Sequence, residues 1–325
     1  MPNQMSSINE QGMVLVMGIT GSGKSYFVNT LKQGSVGIGH TMDSCTSEPQ
    51  IVETRIGETE VAVVDLPGFD DTHKSDVQVL SLISELVTTQ YHIGMKLWGV
   101  VFLHPITDIR FQGSTGKVLS MFRGLVGEDA LQNVVLATTH WGNVKDEDIP
   151  LAIGREHELR DKYWRDMLDK NAMMTRFEGS KASAEGIIAQ LIGRNHVVLQ
   201  LQKELVDEQM RLGKTAAATH LKVKVTRSTK ECKDTIRQLK EELKGGVNNT
   251  KRLRIERSIA EAEAQILLLD SDEAKLEKRV GIDTAGALKK VDWKLAVDWQ
   301  KALQIAISTL SLTFNIVNLI LGGAL

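Results

Sequence analysis

Eight residues near the start of the chain have the types and spacing needed to hold phosphate groups. The stretch Gly18–Ser25 reads Gly-Ile-Thr-Gly-Ser-Gly-Lys-Ser, follows the apolar run Met13–Met17 and opens onto a helical pattern. This spacing between a strand and a helix is the pattern of a phosphate-binding loop. Its glycines allow consecutive amide N–H groups to approach phosphate oxygens. The predicted contacts in the loop are Gly21, Ser22, Gly23, Lys24 and Ser25.

The last two residues of this loop carry its chemistry. Lys24 is expected to reach the β- and γ-phosphates of a nucleotide and to neutralise charge during phosphoryl transfer, and the Ser25 hydroxyl is expected to coordinate Mg²⁺. The alternative is a glycine-rich turn between strand and helix with no ligand. The strand before the loop, the lysine and the hydroxyl all favour the phosphate site.

A second motif at the end of a strand completes the phosphate side. The strand Val61–Val64 runs into Asp65-Leu66-Pro67-Gly68, so Asp65 is expected to hold Mg²⁺ through water and the Gly68 amide to sense the γ-phosphate. The next residue is Phe69, where some GTPases carry a glutamine that orients the attacking water. An aromatic ring cannot do this, so we expect slow hydrolysis unless Asp70, Asp71, a backbone group or a second molecule supplies the function.

Two loops supply further candidates. Thr46, with Ser47 in reserve, lies in the polar segment His40–Pro49, which is placed like a first switch loop that meets Mg²⁺ and the γ-phosphate. Arg110 lies in the loop after the apolar strand Leu97–Leu103, on the side where ligands bind in open parallel sheets. Alternatively, Thr46 and Ser47 are ordinary loop hydroxyls. Arg110 is either an arginine finger or an arginine at the surface or an interface.

The base-reading motif of GTPases, Asn/Thr-Lys-x-Asp, is expected after the strand Val134–Ala137. Thr139 fits the first position there, but His140 replaces the lysine and Gly142 the aspartate that accepts from guanine. Asn143 or Asp146 could replace that acceptor, and the side chain of His140 or Trp141 could stack on the base. The last base-contacting loop is expected at Arg176–Gly179, with Phe177 as the contact. Guanine and adenine both stay open on these residues.

These motifs in this order resemble the septin-like branch of P-loop GTPases. The resemblance is to immunity-associated GTP-binding proteins, chloroplast outer-envelope import receptors and fungal G-domain-like proteins. It covers about Gly12–Gly193 and is carried by Gly18–Asn29, Asp65–Phe69 and Thr139-His140. It implies GTP and GDP as ligands with Mg²⁺, a nucleotide contact at Tyr26, guanine recognition at His140, slow turnover, and dimerisation across the nucleotide face.

Composition limits the class of protein. The 325 residues are 42% hydrophobic and 25% charged, typical of a globular protein, and the net charge of −2 gives no sign of nucleic-acid affinity. Two cysteines do not make a disulfide framework or a zinc site, and Met1–Gly12 lacks the features of a secretory signal. We therefore expect a cytoplasmic protein.

The chain divides into two kinds of sequence. All five prolines lie in the first 150 residues, where apolar strands alternate with helical segments, whereas helical periodicity dominates later. The predicted fold is an α/β P-loop NTPase with a parallel-type sheet flanked by helices, followed by an all-α coiled-coil extension. The predicted segments are a flexible N-terminus (1–11), the G domain (12–193), the helical region (194–301) and an apolar helix (302–325).

Three apolar seams run through the helical region. In the first seam, leucine or valine recurs every seven residues. A Gly-Gly-Val-Asn-Asn turn lies between the second and third seams, which predicts a helical hairpin. The seams could pair within one chain or between chains, and Cys232 is expected to pack as a small hydrophobe. Their members are Leu191, Val198, Leu201, Leu205 and Leu212, then Cys232, Ile236, Leu239 and Leu243, then Ile259, Ala262, Ile266, Leu269, Leu276 and Val280.

The uncharged tail Ala302–Leu325 allows two interpretations. Its 24 residues are enough to cross a bilayer core of about 30 Å, and lysines and tryptophans precede it as at a membrane interface. Its amides and hydroxyls instead form one polar stripe, which suits a packed or oligomerising helix. The predicted function is slow Mg²⁺-dependent GTP hydrolysis by a homodimer or oligomer, with or without membrane attachment. The alternatives are a nucleotide-dependent scaffold and an ATPase.

Overall fold

The computed structural model describes residues 12–34, 48–71, 73–109, 111 and 113–289. Within these residues, six strands form one sheet in the order β2-β3-β1-β4-β5-β6. The edge strand β2 is antiparallel to β3, and the other pairs are parallel. The strands are β1 (Gly12–Gly18), β2 (Gln50–Ile56), β3 (Thr59–Asp65), β4 (Lys96–Pro105), β5 (Val134–Thr139) and β6 (Met173–Arg176). The predicted parallel-type sheet is confirmed, with one antiparallel edge.

Helices cover both faces of this sheet. Along β1, Met13, Leu15 and Met17 face one apolar cluster, and Val14 and Val16 face the other. Because both faces are covered, the central strands are apolar throughout instead of alternating with polar residues. The helices that follow the chain are α1 (Lys24–Leu31), α2 (Asp76–His92), α3 (Ser114–Val126), α4 (Ile149–Glu158) and α5 (Lys181–Ala189). Helices α2 and α3 pack on the first cluster, and α1 and α5 pack on the second.

The first predicted coiled-coil seam does not form. Single helical turns and extended residues occupy the stretch after α5, including the turns Gln200–Gln202, Lys203–Asp207 and Leu212–Lys214. Leu201, Leu205 and Leu212 are fully buried in the same apolar cluster as α2 and α3. A seven-residue repeat marks a seam only in a continuous helix. Here the leucines extend the packed layer over the sheet instead.

The other two seams belong to a hairpin of long helices, α6 (Thr219–Lys244) and α7 (Asn249–Leu276). The predicted turn lies between them, where Gly246 takes a left-handed φ of 75° and Asn248 caps α7 by accepting from the Lys251 amide at 2.9 Å. The two helices pack against each other within one chain. Cys232 is half-buried against the core, as expected of a small hydrophobe.

The base of the hairpin and the short helix α8 (Val280–Leu288) pack on α2. The Thr88 and Thr284 hydroxyls are 3.1 Å apart, and the His92 ring donates to the Gly281 carbonyl at 3.0 Å. The predicted tail helix lies outside the described residues. Among the helices that the structure does describe, none is long and apolar enough to cross a membrane.

The buried carboxyl of Glu85 on α2 makes stability depend on pH. Burial raises its pKa from 4.5 to about 7, against a smaller opposing effect of Lys278; Ser81, Asp283 and Lys275 also act on it. An acid whose pKa is raised by folding resists ionisation, so the contribution of Glu85 to stability is greatest at low pH and is lost as the pH rises from about 4.5 to 7. The loss is about 3 kcal/mol.

We therefore expect Glu85→Gln to raise the free energy of unfolding by about 2 to 3 kcal/mol at pH 8 and by less than about 1 kcal/mol at pH 5. Urea denaturation at both pH values measures this. Glu273→Gln, an exposed carboxylate on α7, is the matched control and should have little effect at either pH. A Glu85 variant no more stable than wild type at pH 8 would contradict the burial argument.

Candidate functional site

The loop between β1 and α1 forms an open cradle of backbone amides. Gly21 and Gly23 have left-handed φ angles of 77° and 87°, which residues with a Cβ rarely adopt. A Cβ at Gly21 would meet no atom within 4 Å, so the space above it is open. Ser22 is fully buried beneath the loop, and its carbonyl accepts from the Thr139 hydroxyl at 2.9 Å. The loop is therefore held from below, with its open side facing outward.

Lys24 is a buried cation inside this cradle. Its Nζ donates to the Ile19 carbonyl at 2.8 Å and to the Gly18 carbonyl at 3.4 Å. Burial lowers its pKa from 10.5 to about 8, and the nearby carboxylates of Asp65 and Asp71 partly oppose this. The ammonium is therefore protonated near neutral pH, and a phosphate group can compensate its charge better than carbonyl oxygens do.

Two hard oxygen ligands lie beside the lysine. The Ser25 hydroxyl donates to Asp65 Oδ2 at 2.7 Å, and Asp65, at the end of β3, is fully buried. Hydroxyl and carboxylate oxygens suit Mg²⁺, which commonly takes one or two protein oxygens together with phosphate oxygens and water. The residues present therefore fit a nucleotide-bound Mg²⁺, with Ser25 as a direct ligand and Asp65 as a ligand through water.

The Asp65–Gly68 motif and its successor Phe69 lie directly against the cradle. The Thr20 amide donates to the Phe69 carbonyl at 2.8 Å, and the Phe69 amide donates to the Gly18 carbonyl at 3.3 Å. A Cβ at Gly68 would come within 2.7 Å of the Thr20 backbone, so this close approach requires glycine. The Phe69 ring is buried in the core. It therefore presents no group to a water molecule at the phosphate.

The predicted base motif lies on the other side of the cradle. His140 has a left-handed φ of 62°, and a Cβ at Gly23 would lie 3.3 Å from its Nε2, so the imidazole stands beside the phosphate loop. Burial lowers the pKa of His140, and the Asp108 carboxylate opposes this. A mainly neutral imidazole at this place provides one donor and one acceptor.

Comparison with known proteins agrees with these observations. Residues 13–96 match the sequence model of a family described as 50S ribosome-binding GTPase. The matched residues include the phosphate loop, β3 and the Asp65–Gly68 motif. In the structure, β1 and β3, which carry these motifs, are neighbours in the sheet. The fold is that of a P-loop GTPase.

Similar proteins share only part of their length with this chain. GTP-binding protein A of Dictyostelium discoideum is 25% identical over 187 residues, which are 58% of this chain and 39% of that protein. Uncharacterized protein YkfA of Escherichia coli (strain K12) is 30% identical over 96 residues, 30% of this chain and 32% of that protein. The chain thus spans less than half the length of these curated relatives.

One solved structure of similar fold is Toc33 from Arabidopsis thaliana in complex with GDP and Mg²⁺. It is 15% identical to this chain, and the alignment covers 61% of this chain and 91% of that one with a TM-score of 0.48.

Two predicted nucleotide contacts of the P-loop GTPase domain have other partners. The Phe177 ring is buried edge-on against Phe27, with ring centroids 4.9 Å apart, so it belongs to the core and not to the base site. The strand β6 ends just before it, and its amide donates to the Thr138 carbonyl, which turns the side chain inward. The Tyr26 hydroxyl donates to the Gly179 carbonyl at 3.1 Å. Tyr26 therefore anchors the loop after β6.

Arg176 and Trp141 both lie in segments that the sequence predicted to contact the base, but their contact with each other and with Glu156 was not predicted. The Arg176 guanidinium lies 4.0 Å from the Trp141 ring centroid and forms a two-point hydrogen bond with the buried Glu156 of α4, whose Nε–Oε1 distance is 2.8 Å. The Trp141 indole N–H donates to the Thr138 hydroxyl at 3.0 Å. One face of Trp141 is thus covered by an arginine and cannot stack on a base. Glu156 belongs to no motif, so only the fold identifies it.

The structure describes the position of Gly142 but not those of three other predicted site residues. Thr46, Ser47 and Arg110 lie outside the described residues, and their predicted roles stay predictions. Gly142 is exposed, and a Cβ there would meet no atom within 4 Å. The position that normally bears the aspartate therefore has room for one.

Lys24→Ala should abolish tight nucleotide binding, because it removes the one buried cation that the structure describes in the phosphate cradle. We expect the dissociation constant to rise by about 100-fold or more, in line with the loss of a charge-assisted contact to phosphate. Fluorescence titration with a labelled nucleotide measures it. Lys32→Ala, an exposed lysine just after α1, is the control and should bind like wild type. Wild-type affinity in Lys24→Ala would refute the phosphate-loop assignment.

Proposed function

We propose that this chain binds GTP and GDP together with Mg²⁺ and hydrolyses GTP slowly. The observation that carries the proposal is the convergence of the buried Lys24 ammonium, the Ser25 hydroxyl and the Asp65 carboxylate under one glycine loop. A second support is the Thr139 hydroxyl bond to Ser22, which ties the base side to the phosphate side.

The chain's own groups account for binding and for part of the chemistry. The loop amides and Lys24 hold the phosphates, and the Gly68 amide, in a residue that packs against Thr20, is expected to donate to the γ-phosphate. Bound Mg²⁺ supplies further neutralisation of phosphate charge. The reaction is an in-line attack of water on the γ-phosphorus, in which Lys24 stabilises the charge that develops on the leaving oxygens.

Slow turnover follows from the residues around Phe69. Its ring is buried, and the Asp71 carboxylate already accepts from the His73 and Lys74 amides at 2.7 and 3.0 Å and from the Thr20 hydroxyl at 3.4 Å. These three bonds fix the orientation of the Asp71 carboxylate and occupy most of its acceptor sites. We infer that a second copy of the chain, docked across the nucleotide face, supplies the missing group.

Exposed apolar side chains support such a contact between copies. Ile109, in the loop after β4, is 79% exposed, and Leu151, on α4, is 61% exposed. Helix α4 is tied to this loop because Arg155 donates to the Ile106 carbonyl at 3.0 Å. This edge therefore offers apolar surface near the nucleotide, as an interface does.

The finer assignments are part of the proposal. We place the chain in the septin-like branch because of Phe69 after the Asp65–Gly68 motif and His140 in the base motif. A cytoplasmic location is proposed from the sequence alone, with residues 302–325 either attaching the chain to a membrane or packing as a helix.

Two alternatives predict different measurements. An ATPase is favoured by Gly142, which has no side chain to read guanine. A nucleotide-dependent assembly protein would change its size with the nucleotide and show negligible turnover. Light scattering with GDP and with a non-hydrolysable GTP analogue, next to a phosphate-release assay, separates the second alternative from a GTPase.

Competition between nucleotides on the full chain tests the proposal. We expect unlabelled GTP and GDP to displace a labelled GTP analogue in the presence of Mg²⁺ at least about tenfold more effectively than ATP, a difference of about 1.4 kcal/mol. Removal of Mg²⁺ with a chelator should weaken GTP binding. Preference for ATP would keep the phosphate site and overturn the guanine assignment, and no binding of either would overturn both.

Gly142→Asp should sharpen the preference for guanine. The open space at this position admits the carboxylate, which can then accept from the guanine N1–H and exocyclic amine. We expect the GTP-to-ATP affinity ratio to rise by about tenfold, as for a charged hydrogen bond. Gly154→Asp, on α4 and equally free of neighbours, is the control. An unchanged ratio would show that the base does not lie beside residue 142.

A further inference from the structure

Helix α7 carries apolar side chains on two opposite sides. On one side the helix packs on α6 and α2, and Ile255 and Leu269 are buried there. On the opposite side, Leu253, Leu267 and Leu268 are 64%, 69% and 61% exposed. A surface helix of a globular protein normally has one apolar stripe, which faces the core. The second side of α7 is therefore an apolar surface that the described part of the chain leaves uncovered.

The exposed side of α7 follows a regular repeat. Seven positions are connected by alternating steps of four and three residues, and they are Leu253, Arg257, Ala260, Ala264, Leu267, Ser271 and Ala274. This spacing keeps side chains on one face of a helix and is the spacing of a coiled-coil seam. Five of the seven are leucine or alanine, so a second helix can pack along them. We call these seven positions the outer face of α7.

The order of large and small side chains on the outer face fits a second copy of the same face in antiparallel orientation. With Ala264 near a twofold axis, Leu253 lies at the level of Ala274 of the other copy, and Leu267 lies at the level of Ala260. Close packing is reached when large side chains face small ones. A parallel copy in register would instead set leucine against leucine and alanine against alanine, which require different distances between the helices.

The two halves of α7 also carry opposite charge. Near the hairpin turn, residues 251–257 include four exposed cations and one carboxylate. Nearer the G domain, residues 261–273 include four exposed carboxylates and no cation. A fifth carboxyl group in this half, that of Asp272, is buried and accepts from the Ser75 hydroxyl of α2 at 2.8 Å. Antiparallel pairing places each basic half beside an acidic half, whereas parallel pairing places like charges together.

Ion pairs within the helix do not cancel this difference. Arg257 pairs with Glu261 at 2.9 Å, but both side chains are exposed, and a pair of that kind contributes little. Among the described residues, Arg254 and Asp270 have no ion-pair partner. Both halves of the helix therefore keep charge that a second copy can complement.

We propose that the outer face of α7 is an antiparallel interface with a second copy of this chain. The interface is isologous, because both copies use the same face around one twofold axis. It contains no residue of the phosphate loop, so it goes beyond the proposed contact across the nucleotide face and forms without nucleotide. Few large side chains take part, so we expect a small interface with a dissociation constant of about 1 to 100 µM.

Analytical ultracentrifugation of the full chain without nucleotide measures this association. The wild-type chain should dimerise over that concentration range, and Leu267→Glu should raise the dissociation constant at least about tenfold, because it buries a carboxylate in an apolar contact. Val223→Glu, at a 66% exposed valine on α6, is the matched control and should dimerise like wild type. A wild-type chain that stays monomeric, or an unchanged constant in Leu267→Glu, overturns the proposal.

Disulfide formation measures the orientation of the two copies. In a chain with Cys45→Ser and Cys232→Ala, a mixture of Leu253→Cys and Ala274→Cys should form the mixed disulfide under mild oxidation. Each variant alone should link little, because identical positions then lie about 21 residues, or roughly 32 Å, apart along the pair. Linkage of each variant to itself in preference to the mixed disulfide overturns the antiparallel arrangement.

Other occupants of this face give a different result. A segment of the same chain packed on it would leave the protein monomeric and make Leu267→Glu lower the midpoint of thermal unfolding, which overturns the interface between copies. Binding of a labelled GTP analogue tests the proposed function separately, and Leu267→Glu should bind it like wild type. Loss of that binding in the wild-type chain overturns the proposed function alone, and absence of the dimer overturns the α7 interface alone.

Discussion

The arrangement of the phosphate site depends on the burial of one ammonium group, that of Lys24. Lys24 has no paired carboxylate at salt-bridge distance among the described residues, and its proton is kept by two backbone carbonyls and by the more distant charges of Asp65 and Asp71. Those partners come from different elements. The ends of β1 and β3 must therefore lie side by side, and the parallel pairing of these strands in the sheet achieves this.

This arrangement also brings the segment after Asp65 into contact with the rest of the molecule. The segment after Asp65 is in backbone contact with the phosphate loop, and the helix that begins at Asp76 carries the hairpin. A packed interface of this kind has discrete arrangements instead of continuous deformation, because its side chains fit closely.

The loop after β5 is held in place although it lacks the lysine and aspartate of the usual GTPase base motif. Thr139 retains the link to the phosphate loop, while His140 stands where a lysine is expected. The loop is held by the Arg176 stack on Trp141 and by the bond from Arg176 to Glu156. A two-point arginine–carboxylate bond is strong in geometry as well as energy, so it orients the loop even with one partner partly exposed.

Much of the phosphate site could be predicted from sequence because it is local. Gly18–Ser25 and Asp65–Gly68 have their roles in short, consecutive segments that follow apolar strands, and the structure brings Ser25 and Asp65 together as the motifs imply. The helical hairpin was predictable for the same reason, from a Gly-Gly turn between two seams.

Other features depended on which distant segments share a surface. The sequence determined the order of strands and helices, the phosphate cradle and the absence of a water-orienting glutamine, because these follow from local pattern and residue type. Tertiary structure decided that Leu201 and Leu205 pack on the sheet layer instead of a coiled coil, that Phe177 faces the core, and that Asp272 meets Ser75. A seven-residue apolar repeat or an aromatic residue predicts only that the side chain will be buried. Which surface buries it is settled by long-range packing, where the free energy of covering apolar area selects among many partners.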